Sequence, residues 1–178
     1  IAVREAIKPG VSTLELDKIA YDVITSHGAI PSFLNYNGFP NSICASINEV
    51  VIHGIPKRNI KLKDGDIISI DIGASYKGYH GDAARTIPVG NVSAEKLKLI
   101  EVTKQSLFEG LKFAKPGNRL SDISHAIETY AKSFGYDVVE EFTLFLTDEL
   151  KAEILIHAIL RNILPPQPIG ACCVLHIN

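Results

Sequence analysis

Asp71 and Asp82 carry the chemistry that this sequence offers most openly. They sit in DIISIDIGASYKGYHGDAARTI (66–87), where alternating isoleucines mark a strand, a turn and a second strand. A two-residue hairpin turn with Tyr76 and Lys77 at its tip places Asp71 directly opposite Asp82, on one face. Like charges so placed destabilise a strand pair. Burying them as unpaired anions costs several kcal/mol or forces protonation. A divalent cation between them removes the conflict, since hard and borderline metals accept one carboxylate from each side. A water-facing edge hairpin, or a bulge that separates the two, removes it equally well, and the spacing leaves these readings open. Two carboxylates do not complete a site, because such ions take roughly four to six ligands. His80 shares the face of Asp82, but spacing does not make it a ligand.

Two other stretches hold candidate site residues. His53 closes the β-branched run in NEVVIHGIP (48–56) and is followed by glycine. It reads either as a hydrogen-bond donor to a substrate carbonyl or as a capped histidine at a strand end. NYNGFPNSIC (35–44) is a turn-rich loop with Tyr36, Phe39 and Cys44. Such residues line an apolar pocket or simply cover a core edge.

The elements that must position these groups follow from periodicity. Residues 12–28 read as a helix: Ser12 and Glu15 have capping-box spacing, and Leu16, Ile19, Ala20, Val23 and Ile24 form the apolar stripe. Gly28 supplies the stop. Residues 42–47 and 50–53 read as strands around a turn at Asn48-Glu49, and KDGD (63–66) is a further turn. Ser93 caps a helix to about Phe113. Lys-Pro-Gly then recurs 107 residues on, at 8–10 and 115–117, and Gly28 and Gly135 share that offset. So does the stripe, as Ile123, Ala126, Ile127, Tyr130 and Ala131. One offset joining cap, stripe and stop points to a duplicated unit. YDVVEEF (136–142) starts a strand in the second copy, and Asp148 to Leu164 reads as a short apolar helix ended by Pro165-Pro166.

Composition sets the bounds. The chain has 178 residues, 46% hydrophobic and 21% charged, with a net charge of −2. That suits one globular domain and does not point to nucleic acid or an anionic membrane surface. No apolar run approaches the ~18 residues of a membrane span. Three cysteines, two of them adjacent, suit a reducing compartment. With no methionine at all, the first residue is expected to lie inside a longer product or to follow processing.

The stretches KPGVSTLELD, YNGFPNSICASINEVVIHGIP, LKDGDIISIDIGASYKGYHGDAARTIPVG and KPGNRLSDISHAIETYAKSFGYDVVEEF resemble type I methionine aminopeptidase, in order, over residues 1 to about 142. The resemblance implies an α+β pita-bread fold of two pseudo-symmetric halves. Residues 1–90 would form the first half and 91–142 the start of a truncated second, with 143–178 a tail outside the match. It also implies removal of the initiator methionine, with one or two divalent ions (Co, Mn, Fe, Zn or Ni) as cofactor. Carried over by motif, Asp71 and Asp82 are metal ligands, with Asp82 bridging both ions. His53 contacts the scissile peptide, and Tyr36, Phe39 and Cys44 form the methionine side-chain pocket. The expected partners are nascent polypeptide N-termini near the ribosome, in the cytoplasm or an organelle, with self-association through an open sheet edge.

The sequence departs from the family after Thr143. No Gly-His-Gly motif occurs, and the remaining histidines and glutamates of the family's site have no matching positions. A second reading therefore stands beside the first: a non-catalytic module that keeps the first half and binds peptides or proteins. Proline-directed aminopeptidases share the fold and form a third, weaker reading.

Overall fold

The computed structural model describes residues 1–138, 156–159 and 172–175. Helix α1 (Ala2–Ala6) leads into α2 (Thr13–Ser26), which starts where expected. The Ser12 N–H donates to Glu15 Oε2 at 2.8 Å, and the Glu15 N–H donates to Ser12 Oγ at 3.3 Å, completing the capping box. Short strand β1 (Ile30–Pro31) and a 3-10 turn at Tyr36–Gly38 precede β2 (Ile43–Ile47). The long hairpin of β3 (Ile67–Tyr76) and β4 (Tyr79–Pro88) follows, then helices α3 (Ala94–Leu111) and α4 (Leu120–Ser133).

β3 organises the sheet. β4 pairs antiparallel along its whole length, from Ile67↔Pro88 to Tyr76↔Tyr79. β2 pairs with Ile68 to Ile72, and β1 with Ala74 and Ser75, so these two succeed each other along the other edge. Period-two alternation in β3 separates the faces. Ile68, Ile70 and Ile72 point to one side, where Ile43, Ala45, Leu16, Ala20 and Val3 join them in the main core. Ser69, Asp71 and Gly73 point to the other. A smaller core joins Ile67, Leu99, Val102, Ala131 and Tyr136 beneath α3 and α4.

The duplication is visible in three dimensions. α4 starts and ends 107 residues after α2, and β5 (Asp137–Val138) lies 107 residues after β1. The helix exits match bond for bond: the Ala29 N–H donates to Ile24 O and the Tyr136 N–H to Ala131 O. Gly10 and Gly117, ahead of the two helices, share a φ of 93°. α1 packs on α2 as α3 packs on α4.

Three sequence expectations need correction. The hairpin tip is Lys77-Gly78 rather than Tyr76-Lys77, with φ of 51° and 85°. A tight primed turn needs positive φ at both central residues, which Gly78 supplies at no steric cost and Tyr76 would not. Residues 50–53 form no strand: the chain leaves β2 at Asn48 and returns only at Gly54. Finally, Ile156–Ile159 is strand β6, paired with β5 and with β7 (Cys172–Leu175), not part of a helix over 148–164. A short isoleucine-rich run has no periodicity that separates strand from helix. His157 therefore lies in β6, and the rest of that expected helix lies outside the described residues.

Candidate active site

The polar face of the sheet carries the candidate residues. Cys44 pairs with Asp71, and Asp71 with Ala84, which makes one rung across β2, β3 and β4. Asp82 pairs with Gly73 on the next rung of the same face. The two aspartates thus share a face as expected, but on the diagonal rather than directly opposite, because the turn sits one residue later than the sequence suggested. Diagonal partners lie about 7 Å apart, still within reach of a shared ligand. Each aspartate faces a residue of β3 or β4 with little or no side chain, Ala84 across from Asp71 and Gly73 across from Asp82.

The Oδ1 atoms of both carboxylates are buried. Cys44 is buried beside them, and its thiol is pushed up to about 12, first by burial, then by the charges of Asp71 and Asp82. Both negative charges therefore bear on one small volume. Buried oxygens of two carboxylates on one polar face fit a divalent cation, which takes such ligands readily. Among the described residues no group of three or more His, Cys, Asp or Glu could hold an ion. Below the Asp71 rung, Ser46, Ser69 and Thr86 form a row of buried hydroxyls, with Ser69 Oγ 2.8 Å from Thr86 Oγ1.

Phe33 belongs to the site, and the sequence reading missed it. A Cβ built on Gly73 would lie 2.6 Å from Phe33 Cε1, so the ring sits directly over this glycine and beside the Asp82 rung. The signal was present in Gly73 itself, since glycine inside a strand marks a close approach by another group.

His53 is exposed, on a loop that is tied at both ends. At its start the Asn48 N–H donates to Ile67 O, and Asn48 Nδ2 donates to Asp66 Oδ1. At its end the Gly54 N–H donates to Ser46 Oγ at 3.1 Å, and the Ala45 N–H to Gly54 O at 2.8 Å. His53 itself has a φ of 54°, a conformation that few non-glycine residues adopt. The backbone that carries His53 thus runs back to β2 at Ala45 and Ser46, through Gly54. Tyr36 is 68% exposed and Phe39 half-buried, on a loop closed by a hydrogen bond from the Asn35 N–H to Phe39 O. His80 lies at the rim with Nδ1 3.3 Å from Ser32 Oγ. The structure therefore brings Cys44, Asp71 and Asp82 together, adds Phe33, and leaves Tyr36 at the surface.

The model of metallopeptidase family M24 matches residues 1–160. This chain belongs to that family. Methionine aminopeptidase 1 of Bacillus subtilis is 59% identical over 140 residues, which cover 79% of this chain and 56% of the relative. A methionine aminopeptidase structure from Rickettsia prowazekii is 44% identical with a TM-score of 0.77, and covers 79% of this chain and 56% of its own. An Xaa-Pro dipeptidase from Bacillus anthracis is 25% identical with a TM-score of 0.65, over 75% of this chain and 36% of that one. The M24 chain described here has the mixed α/β pita-bread architecture of these neighbours. It spans a little over half the length of the methionine aminopeptidases it matches.

Proposed function

We propose that this chain acts in metal-dependent removal of the N-terminal methionine from nascent polypeptides, in the cytoplasm. The observation that carries the reading is the shared face of Cys44, Asp71 and Asp82, with Phe33 over Gly73. High identity to methionine aminopeptidases supports the choice of substrate.

The chain's own residues divide the work. Asp71 and Asp82 would hold one or two divalent ions, which when bound supply Lewis acidity and an activated water nucleophile. Cys44 and Phe33, with Phe39 from the preceding loop, would receive a flexible, unbranched apolar side chain. A thiol that stays protonated through neutral pH suits that role, since it adds no charge to an apolar pocket. His53 would donate a hydrogen bond to the oxygen of the scissile peptide, where charge develops during hydrolysis. Its exposed position, at a positive φ, would leave the imidazole open to substrate.

The test compares release of the first residue from Met-Ala-Ser, Leu-Ala-Ser and Ala-Pro-Ser with Mn(II), Co(II) or Fe(II) supplied. Preferential release from Met-Ala-Ser is expected. Preferential release from Ala-Pro-Ser would replace this reading with a proline-directed one. Binding of the peptides without release would favour the non-catalytic module.

A further inference from the structure

Asp17 lies on α2, a helix that packs against the apolar face of the sheet, away from the candidate site. Its carboxylate is buried and accepts three hydrogen bonds at one place in the chain. Asn41 Nδ2 donates to Oδ2 at 2.8 Å, and the consecutive Ser42 and Ile43 N–H groups donate to Oδ1 at 2.7 and 3.1 Å. Asn41 and Ser42 are themselves buried. These residues mark the point where the loop carrying Phe39 becomes β2, one residue before Cys44. The helix does not need Asp17 for its own start, which Ser12 and Glu15 cap.

We propose that Asp17 is a positioning residue for side-chain recognition: it fixes the loop of Phe39 against Cys44, and so sets the shape of the pocket. The role in recognition rests on the methionine reading above; the positioning of Cys44 does not. Charge-assisted bonds from two backbone amides and one side-chain amide hold a loop more firmly than neutral ones. Asp71 also pairs with Cys44, but the β3–β4 ladder, which Asp17 does not bond, holds both Asp71 and Asp82. Loss of Asp17 should therefore loosen the pocket and leave the metal carboxylates in place.

The geometry also specifies its own rescue. In Asp17→Asn, Oδ1 still accepts from the backbone, but the new amide nitrogen faces the Asn41 amide, donor against donor. Asn41→Asp alone sets two carboxylates together. The double variant D17N/N41D restores a donor–acceptor pair with the direction reversed.

The experiment uses the full chain with Mn(II) and reads three quantities in the wild type, the two single variants and the double. These are Cys44 alkylation by iodoacetamide mapped by peptide mass spectrometry, the kcat/KM ratio for Met-Ala-Ser over Leu-Ala-Ser, and Mn(II) affinity. Asp17→Asn is expected to speed Cys44 alkylation about tenfold, the scale of one lost charge-assisted bond. It should also lower the Met/Leu ratio, chiefly through KM, with Mn(II) affinity unchanged. The double variant should return both readouts to within about twofold of wild type. An unchanged alkylation rate in Asp17→Asn, or a faster rate that the double variant fails to reverse, overturns the proposal. Release of neither peptide by any form, with the alkylation pattern as expected, overturns the methionine reading and supports the positioning of Cys44 by Asp17. Should Asp17→Asn not fold, Asn41→Ala takes its place, with about a threefold faster alkylation expected and no change overturning the proposal.

Discussion

Asp82 stands directly across the hairpin from Gly73, and Asp71 directly across from Ala84, so the two carboxylates meet on the diagonal. Neither has a bulky partner across the β3–β4 ladder, and both Oδ1 atoms are buried. Asp71→Asn and Asp82→Asn are each expected to weaken Mn(II) binding by about tenfold or more. Loss of an outer-sphere partner alone costs about that much, and a direct ligand no less. Electron paramagnetic resonance of free Mn(II) in a titration measures it. Unchanged affinity in both variants would remove the pair from the metal site.

Gly73→Ala tests the packing of Phe33. The new methyl would sit 2.6 Å from the ring edge, too close without movement of the ring or the strand. A loss of about 1–3 kcal/mol in urea unfolding is expected. Phe33→Ala in the same chain should recover part of it, because the clash is then gone. Additive losses in the double variant would show that the ring and the glycine do not touch.

Cys44 makes the metal-free chain sensitive to alkali. Its thiol rises from an ordinary 9.0 to about 12 in the fold. Between those values the unfolded chain gives up a proton that the folded chain keeps, so stability falls as pH rises through that window. Relative to Cys44→Ala, the wild type should lose on the order of 1 kcal/mol between pH 8 and pH 10.5. Parallel urea midpoints for the two proteins over that range would contradict a buried, protonated thiol.

Ser12→Ala should cost about 1 kcal/mol by removing the cap of α2. The Glu15 carboxyl is held below its ordinary 4.5, first by the Ser12 side chain and then by the Ser12 backbone N–H. A lowered carboxylate stabilises the fold above its unfolded value, and that contribution fades as pH falls through the folded one. The gap between wild type and Ser12→Ala, read from thermal midpoints, should therefore narrow below about pH 4.5. A gap that widens in acid would mean that Glu15 is not part of the cap.

The parts of the fold that are local were legible in the sequence. Capping at Ser12 and Ser93, the stripe from Leu16 to Ile24 and the 107-residue repeat all rest on neighbours in the chain, and the structure reproduces them. The face shared by Asp71 and Asp82 was legible too, since a two-residue turn shifted by one position keeps the same residues on each face. Register was not. It depends on which residues take positive φ, and Lys77 next to Gly78 was the better candidate for the turn. The loop over 50–53 was misread as a strand because Val50, Val51 and Ile52 favour strands, while the binding of Gly54 against Ala45 is a tertiary matter. Phe33 and Asp17 escaped for the same reason. Their partners, Gly73 and residues 41–43, lie 40 and about 25 positions away.

Release of methionine from Met-Ala-Ser by the purified chain, with and without added Mn(II) and alongside Asp82→Asn, tests the central claim most directly. The account predicts release that requires the metal and disappears in Asp82→Asn, while circular dichroism shows both proteins folded. Release that survives Asp82→Asn, or none from the folded wild type at saturating Mn(II), would contradict it.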